Sequence, residues 1–437
     1  MIDKSTSVRT ALLSSGLLLS LSHSVHAGGL YIGEFGQPNQ GASRAGANAL
    51  AEDASTALQN PAGVMFLDEP TSMATALVIY SETEFDQSET FPSTPTAVAN
   101  NAGTGRASNG GDGGSTSVGA AFFHANPVNE KWGWGLSFGS ISGAIIDYDD
   151  GKDFAGRYWA SEVSLFTVGL TGSISYKFTD DFAASVHSSV SYGKLDLDVY
   201  VPGFGPAPPG QVPPDIGLAQ VKNGDDTVVS FGASAMWQVT EKLRLGAVYN
   251  SEIEYDFDSD LKIPNNATVN ANVELTYPQT VRTSAVYDLN KSLSLLAAFS
   301  WEDWSAFKEI PVTTGLGGPG AALPRNWDDT YFFSVGLRWK PNNRYTWYTG
   351  IGYDTDPTDK DDRTADMPID RQIRLSGGVT YERDNGHKIG GVLTYADYGD
   401  GEIDNGGFRN PAGAQPWTVK GEYDTNRLIF LGLNYGW

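Results

Sequence analysis

"KLRLGAVYNSEIEYDFD" (Lys242–Asp258) alternates with a period of two. Leu243, Leu245, Ala247, Tyr249, Ile253, Tyr255 and Phe257 fall on one face of an extended chain, and Arg244, Asn250, Glu252, Glu254 and Asp256 on the other. Successive side chains of a strand point to opposite faces, so such a segment offers one charge-free face and one charged face. The pattern recurs in Val229, Phe231, Ala233, Ala235, Trp237 and Val239, and again in Tyr331, Phe333, Val335, Leu337 and Trp339. Ile373, Leu375, Val379 and Tyr381 repeat it against Gln372, Arg374 and Glu382. A soluble sandwich also alternates, but its strands average about 5–6 residues. These run about twice as long, near the roughly 9–11 residues that cross a bilayer at a tilt. Strand length therefore predicts a membrane barrel.

The breaks between such segments come in two alternating sizes. Short ones are "HANPVNEK", Thr179–Asp181, Thr240–Lys242, Asn290–Lys291, Pro341–Asn343 and "RDNGH"; long ones lie near 86–114, 149–160, 202–225, 257–268, 306–328, 355–370 and 398–424. Thirteen connections join fourteen strands. An even count with short turns at one end and long loops at the other marks a bacterial outer-membrane barrel. Tyr176, Phe178, Phe182, Trp237, Trp339, Tyr345, Trp347 and Tyr381 sit beside the short turns, where an interfacial aromatic girdle belongs. The chain ends on an aromatic strand, "LIFLGLNYGW".

Residues 1–27 carry Lys4 and Arg9, an apolar run Ala11–Leu21 and a small-residue cleavage pattern Val25-His26-Ala27, which predicts a signal peptide. The predicted division is 1–27 leader, 28–68 N-terminal segment and 69–437 barrel. A formal charge of −23 speaks against nucleic acid as partner, and the lack of cysteine excludes disulfides and thiolate chemistry. Fourteen strands enclose a space wider than the eight-strand size that side chains fill alone. The stretch "GASRAGANALAEDASTALQNPAG" is small-residued, with Asp53 placed to cap a turn and Asn60-Pro61 to end it. It is expected to fold inside the lumen as a plug. The predicted fold class is thus an all-β transmembrane, 14-stranded antiparallel outer-membrane barrel with an N-terminal hatch.

"GEFGQPNQGASRAGANALAEDASTALQNPAGVMFLDEPT" (33–71), with "WGWGLSFGS" (132–140), "GRYWASEVSLFTVGLTGSISYKF" (156–178) and "WEDWSAFKEIPV" (301–312), resembles the FadL-type outer-membrane transporters of long-chain fatty acids and hydrocarbons. The resemblance runs from about Gly29 to Trp437. It implies a hatch ending in an Asn-Pro-Ala turn, here Asn60, Pro61 and Ala62, and an inward kink in strand three beside a gap in the wall through which substrate leaves. It also implies lumen-facing ligand contacts at Leu30, Tyr31 and Phe35. The residues Gly139, Ser140, Ile141, Ser142 and Gly143 interrupt the alternation of strand three, and glycine within a strand marks a bulge or bend. The alternative there is an ordinary bulge without an opening. A second "NPAG", Asn410–Gly413, shows that the tripeptide alone is only a turn signal. Loop three, "VPGFGPAPPGQVPPDIGLAQV", departs from the family's apolar capture groove, with Phe204, Ile216 and Leu218 as its anchors.

Catalytic constellations are sparse. His187 on the lumen face of strand five could serve a Ser-His dyad, but no nucleophile motif accompanies it. "DYDDGKD" and the acidic run Asp354–Asp366 lack EF-hand spacing and read as solvated loops rather than Ca²⁺ sites. No cofactor and no metal is expected. Lys177, Arg244, Arg282, Arg338 and Arg374 point inward, each a candidate partner for a carboxylate or for lumen acids such as Glu52, Asp53, Glu252 and Glu382. The expected function is passive, non-enzymatic transport of hydrophobic small molecules by a monomer in the outer membrane of a Gram-negative bacterium, among its lipid and lipopolysaccharide. A general aqueous porin, an outer-membrane lipid hydrolase and an adhesive barrel are the rivals.

Overall fold

The computed structural model describes residues 33–92, 108–201, 215–264, 267–315, 321–405 and 417–437. The segment read as a signal peptide, Leu30, Tyr31, Phe204 and Asn410–Gly413 lie outside them. Nineteen strands follow in order: β1 (Thr71–Pro92), β2 (Thr116–Pro127), β3 (Trp132–Asp147), β4 (Glu162–Thr179), β5 (Phe182–Val201), β6 (Gly217–Thr240), β7 (Leu243–Asn250), β8 (Ile253–Lys262), β9 (Thr268–Tyr277), β10 (Thr280–Asn290), β11 (Leu293–Glu302), β12 (Glu309–Thr314), β13 (Ala321–Pro324), β14 (Thr330–Trp339), β15 (Tyr345–Asp354), β16 (Gln372–Glu382), β17 (Lys388–Asp397), β18 (Ile403–Asn405) and β19 (Trp417–Gly436). All join one antiparallel sheet that closes where β1 pairs with β19. The wall has fourteen positions: β7 and β8 are two halves of one, β9 and β10 of the next, and β12, β13 and β18 belong to the outer loops. Closure pairs every strand with a neighbour on each side over at least part of its length, as a bilayer demands.

The wall follows the alternation. Leu170, Val186, Phe231, Val335, Leu375 and Leu433 are exposed on the outer face, whereas Ser175, Ser189, Ser234, Ser284 and Thr394 are buried on the inner face. Trp132, Trp237, Trp339, Trp347 and Trp437 ring the short-turn end. Toward the loops, exposed Tyr80, Tyr192, Tyr249, Tyr331, Tyr353 and Tyr395 form a second ring. Two belts of amphipathic aromatics bracketing an apolar band locate the membrane.

The stretch Lys242–Asp258 corrects its own reading in one respect. It is two strands, not one, broken at Ser251-Glu252. Leu245 and Tyr249 face lipid, but Ile253, Tyr255 and Phe257 are buried within the barrel mouth. Pairing of β6 with β7 ends at Gly232–Asn250 and resumes with β8 only at Asp225–Asp258. The physical reason is a change of solvent. Below the tyrosine ring an apolar side chain gains by facing lipid; above it, the outside is water and the apolar set turns inward. There it joins a cluster containing Phe85, Tyr148, Phe154, Trp304, Trp327 and Tyr423 that fills the mouth.

Two further readings change. The long connections are partly strand: β1 runs to Pro92, β6 begins at Gly217 and β8 reaches Lys262. The acidic run Asp354–Asp366 is not simply solvated. Asp354 and Asp366 are buried, Arg325 pairs with Asp366 at 2.7 Å, and Arg363 pairs with Asp356 at 2.5 Å.

Candidate functional site

The described part of the N-terminal segment is a chain of short turns: a 3-10 turn Pro38–Ala42, one helical turn Thr56–Gln59 and a second 3-10 turn Pro61–Phe66. Asp53 Oδ1 accepts the Ser55 N–H at 2.9 Å just ahead of the helical turn, whose N-cap is Ser55 and carries no side-chain cap bond. Small residues allow the segment to lie against the inner wall. Ala42, Ala45, Ala49, Ala54, Ala57 and Ala62 are all fully buried.

Asn60-Pro61-Ala62 is where this segment is fastened. The Asn60 side chain accepts the Ala62 N–H at 3.1 Å and donates to the carbonyls of Asn48 (2.6 Å) and Ala235 (2.9 Å). The Pro61 carbonyl accepts from Ser175 Oγ at 2.7 Å, and the Ala62 N–H also donates to Ser234 Oγ at 3.0 Å. One turn thereby bonds to both β4 and β6. Asparagine suits the first position because its amide both accepts and donates. A second tie is ionic: Glu52 pairs with Arg338 and, at 2.8 Å, with Lys340 at the short-turn end. Burial pushes the Glu52 carboxyl up, but these two cations outweigh it and hold it below the ordinary carboxylate value. Asp53, buried without such a pair, is raised.

Strand three is unevenly paired on its two sides. β2 and β3 pair from Pro127–Gly133 to Phe122–Phe138, and no ladder joins them beyond. β2 nevertheless continues back to Thr116 and β3 on to Asp147. On its other side β3 stays paired with β4, with one register shift between Ser140 and Ser142, so Ile141 is the extra residue of a bulge. The bend carries β3 away from β2. The wall between Thr116–Ala121 and the upper half of β3 is therefore held by no backbone ladder. In this stretch of β2 a Cβ added at Gly119 would meet nothing within 4 Å.

Behind the interruption lies a cavity of about 120 Å³. Its lining includes Phe35 and Leu58 from the N-terminal segment, Gly139 and Ser140 from the bend, and Phe231 and Ser251 from the break above β7. Phe35 packs edge-on against Phe123, with ring centroids 6.4 Å apart. Of the sequence-derived site residues, Phe35, Gly139 and Ser140 are thus brought to one cavity, while Asn60-Pro61-Ala62 sits apart as an anchor. His187 also lines the cavity, with Nε2 2.9 Å from Asn250 Oδ1. A serine hydroxyl is not its partner there.

The inward cations are mostly engaged. Arg338 pairs with Glu52 and Asp288, and Arg374 faces Glu34 (3.4 Å) and Asp354 (3.6 Å). Arg282 faces Glu302 at 3.7 Å. Arg244 donates to Gln238 and the Leu50 carbonyl, and both it and Lys177 lie over the Phe66 ring. Glu52 is a partner as expected, whereas Asp288, Glu34, Asp354 and Glu302 take the places foreseen for Glu252 and Glu382. Arg44, absent from the sequence-derived set, also lines the cavity. Its signal was available, since it is the single charged residue between Phe35 and Ala51.

A closed fourteen-position barrel with two aromatic belts and a lumen occupied by its own N-terminal segment defines an outer-membrane transport barrel. The chain belongs to the family of outer membrane protein transport proteins (OMPP1/FadL/TodX), whose model matches residues 18–424. It is 24% identical over 413 residues to a long-chain fatty acid transport protein of Escherichia coli, covering 87% of this chain and 89% of that protein. Its fold is similar to a Pseudomonas aeruginosa FadL homologue (TM-score 0.83, 20% identity, 94% and 99% of the two chains). It is also similar to the Ralstonia pickettii toluene transporter TbuX (TM-score 0.63, 16% identity, 92% and 97% covered). The protein resides in the outer membrane of a Gram-negative bacterium, like the members of this family.

Proposed function

We propose that this barrel takes up hydrophobic small molecules, long-chain fatty acids or other hydrocarbons, passively and without covalent chemistry, and releases them sideways. It acts as a monomer, with lipopolysaccharide and lipid against its apolar band. The observation that carries this reading is the missing ladder between β2 and β3 beside a cavity lined by Gly139 and Ser140. A general porin has no use for an interrupted wall, and a hydrolase needs a nucleophile–base pair that the His187 surroundings do not supply. Burying a tail stabilises it by about 0.8 kcal/mol per CH₂, or roughly 9 to 10 kcal/mol for twelve carbons, so a rigid dry pocket would release it slowly. A displaceable N-terminal hatch, fastened at Asn60-Pro61-Ala62 and Glu52, relieves that trap.

Deleting Ile141 removes the extra residue and lets β3 pair regularly. Uptake of labelled oleate by cells should fall at least tenfold, while equilibrium binding to the purified barrel and its heat-modifiable mobility are retained. Undiminished uptake by the folded deletion variant would show that release does not pass between β2 and β3.

A further inference from the structure

Between β15 and β16 the chain lays a strap across the barrel mouth. The connection from Thr355 to Arg371 contains no strand or helix. It exceeds the roughly 12–15 residues beyond which such a segment is usually functional, a lid or a binding loop. Its middle is interior, since every residue from Arg363 to Ile369 is buried. Ala365, Met367 and Ile369 sit on the aromatic cluster of the mouth. Tyr148, just past β3, and Tyr423 of β19 both donate to the Ala365 carbonyl, at 2.9 and 3.4 Å. Asn426 of β19 donates to the Pro368 carbonyl at 2.8 Å, and the Asp328 N–H to that of Pro357 at 2.7 Å. A Cβ on Gly156, in the connection between β3 and β4, would lie 2.5 Å from that of Ala365. The strap therefore reaches the other side of the mouth.

Two buried arginines hold it shut. Arg325 bonds Thr364 Oγ1 at 2.9 Å and Asp366 at 2.7 Å. Arg363 donates to the carbonyls of Thr358 (2.8 Å), Ile369 (2.8 Å) and Glu402 (2.6 Å), and to Asp356 at 2.5 Å. It thus ties the strap to itself and to the connection between β17 and β19. A buried ion pair contributes little net stability, because desolvation offsets most of its attraction, yet removing one partner leaves the other uncompensated. Two such pairs make a closure that is definite in geometry and shallow in free energy. Burial raises the Asp356 carboxyl to about 6 although Arg363 faces it. At neutral pH the shut position therefore holds a carboxylate that water would hold better.

We propose that residues 355–371 are an outer gate, locked shut by Arg325 and Arg363, which lifts to admit substrate to the lumen. The proposal rests on the transport reading above and supplies its entrance: the β2–β3 interruption serves for release, while the mouth is filled. Lifting exchanges both arginine pairs for water and uncovers Tyr148 and Tyr423. Closure behind the substrate commits it to the lumen, as lids do elsewhere.

The absence of native cysteine allows two tests on the full-length barrel. The Asp404 N–H donates to the Lys360 carbonyl at 2.9 Å, and neither side chain is buried, so Lys360→Cys with Asp404→Cys can be bridged by a short bifunctional methanethiosulfonate. Bridging should lower uptake of labelled oleate by cells at least tenfold, a reductant should restore it, and the monofunctional reagent should leave it unchanged. Undiminished uptake by the bridged barrel overturns the gate. In the second test, Met367→Cys is a buried reporter on the strap itself. A charged, impermeant thiol reagent should label it at least tenfold faster when Arg363→Gln is added, with heat-modifiable mobility retained and Arg363→Lys intermediate. Equal labelling rates in all three overturn the lock. Labelling needs no transport, so it decides the lock even if the wild type takes up no oleate, the result that would overturn the transport reading.

Discussion

The two sides of the barrel use glycine for opposite ends. From β14 to β17 the wall is a continuous ladder with no register shift. Three of its glycines, Gly336, Gly350 and Gly378, lie where the N-terminal segment touches the wall: a Cβ on Gly350 would fall 2.2 Å from the Ala42 carbonyl oxygen, and one on Gly336 at 3.1 Å from it. Gly41 approaches Gly378 just as closely. Glycine there permits backbone to lie on backbone. Across the lumen, between β2 and β3, the ladder stops, and a Cβ added at Gly119 would meet nothing within 4 Å. One wall is a seat and the other an aperture. On the proposed route, rigidity on the first side holds the N-terminal segment, and the missing β2–β3 ladder on the second side is the exit.

The largest effect is expected where the seat is spoiled. Gly350→Val would drive a branched side chain into the Ala42 backbone, which cannot yield as a flexible side chain does. The N-terminal segment should lift from the wall while the fourteen-position ladder survives. In planar bilayers this variant should show steady ion conductance well above the wild type, together with lost oleate uptake. Wild-type conductance would mean that the segment is not seated on this wall.

A smaller effect is expected at the anchor. Asn60→Ala removes the acceptor for Ala62 and the donor to two carbonyls, leaving buried groups unsatisfied at about 1–3 kcal/mol each. The remaining ties, Ser175 to Pro61 and Glu52 to Arg338, keep the segment in place on average. Intermittent rather than steady conductance, with normal heat-modifiable mobility, should result. Unfolding of the whole barrel would instead make Asn60 a structural residue of the wall.

Much of this was legible beforehand, and the rest was not for identifiable reasons. Alternation and strand length revealed the barrel, because lipid outside and small polar residues inside act on every second side chain. The bend was visible at Gly139–Gly143, where small residues replace the alternation. The burial of Ile253, Tyr255 and Phe257 was not, because a period of two is the same whichever face is inward. Only the level of the membrane decides it. Asp354 and Asp366 looked solvated because Arg374 and Arg325, which face them, arrive from other segments of the chain. Arg44 was overlooked among alanines and glycines, since its place in the cavity wall is a property of the folded surroundings and not of the residue.

The account turns on the aperture between β2 and β3, and the absence of native cysteine makes it directly testable. Gly119→Cys places a thiol on the stretch of β2 that borders the aperture, and Gly377→Cys places one on the continuous wall; at both positions an added Cβ meets nothing within 4 Å, so both variants should fold. Oleate uptake is then measured before and after each thiol is labelled with a bulky maleimide. Labelling Gly119→Cys should abolish uptake without lowering equilibrium binding, because Gly119 is not among the residues lining the cavity, and labelling Gly377→Cys should change neither. Full uptake through a labelled Gly119→Cys barrel would contradict lateral release and return the route to the barrel axis.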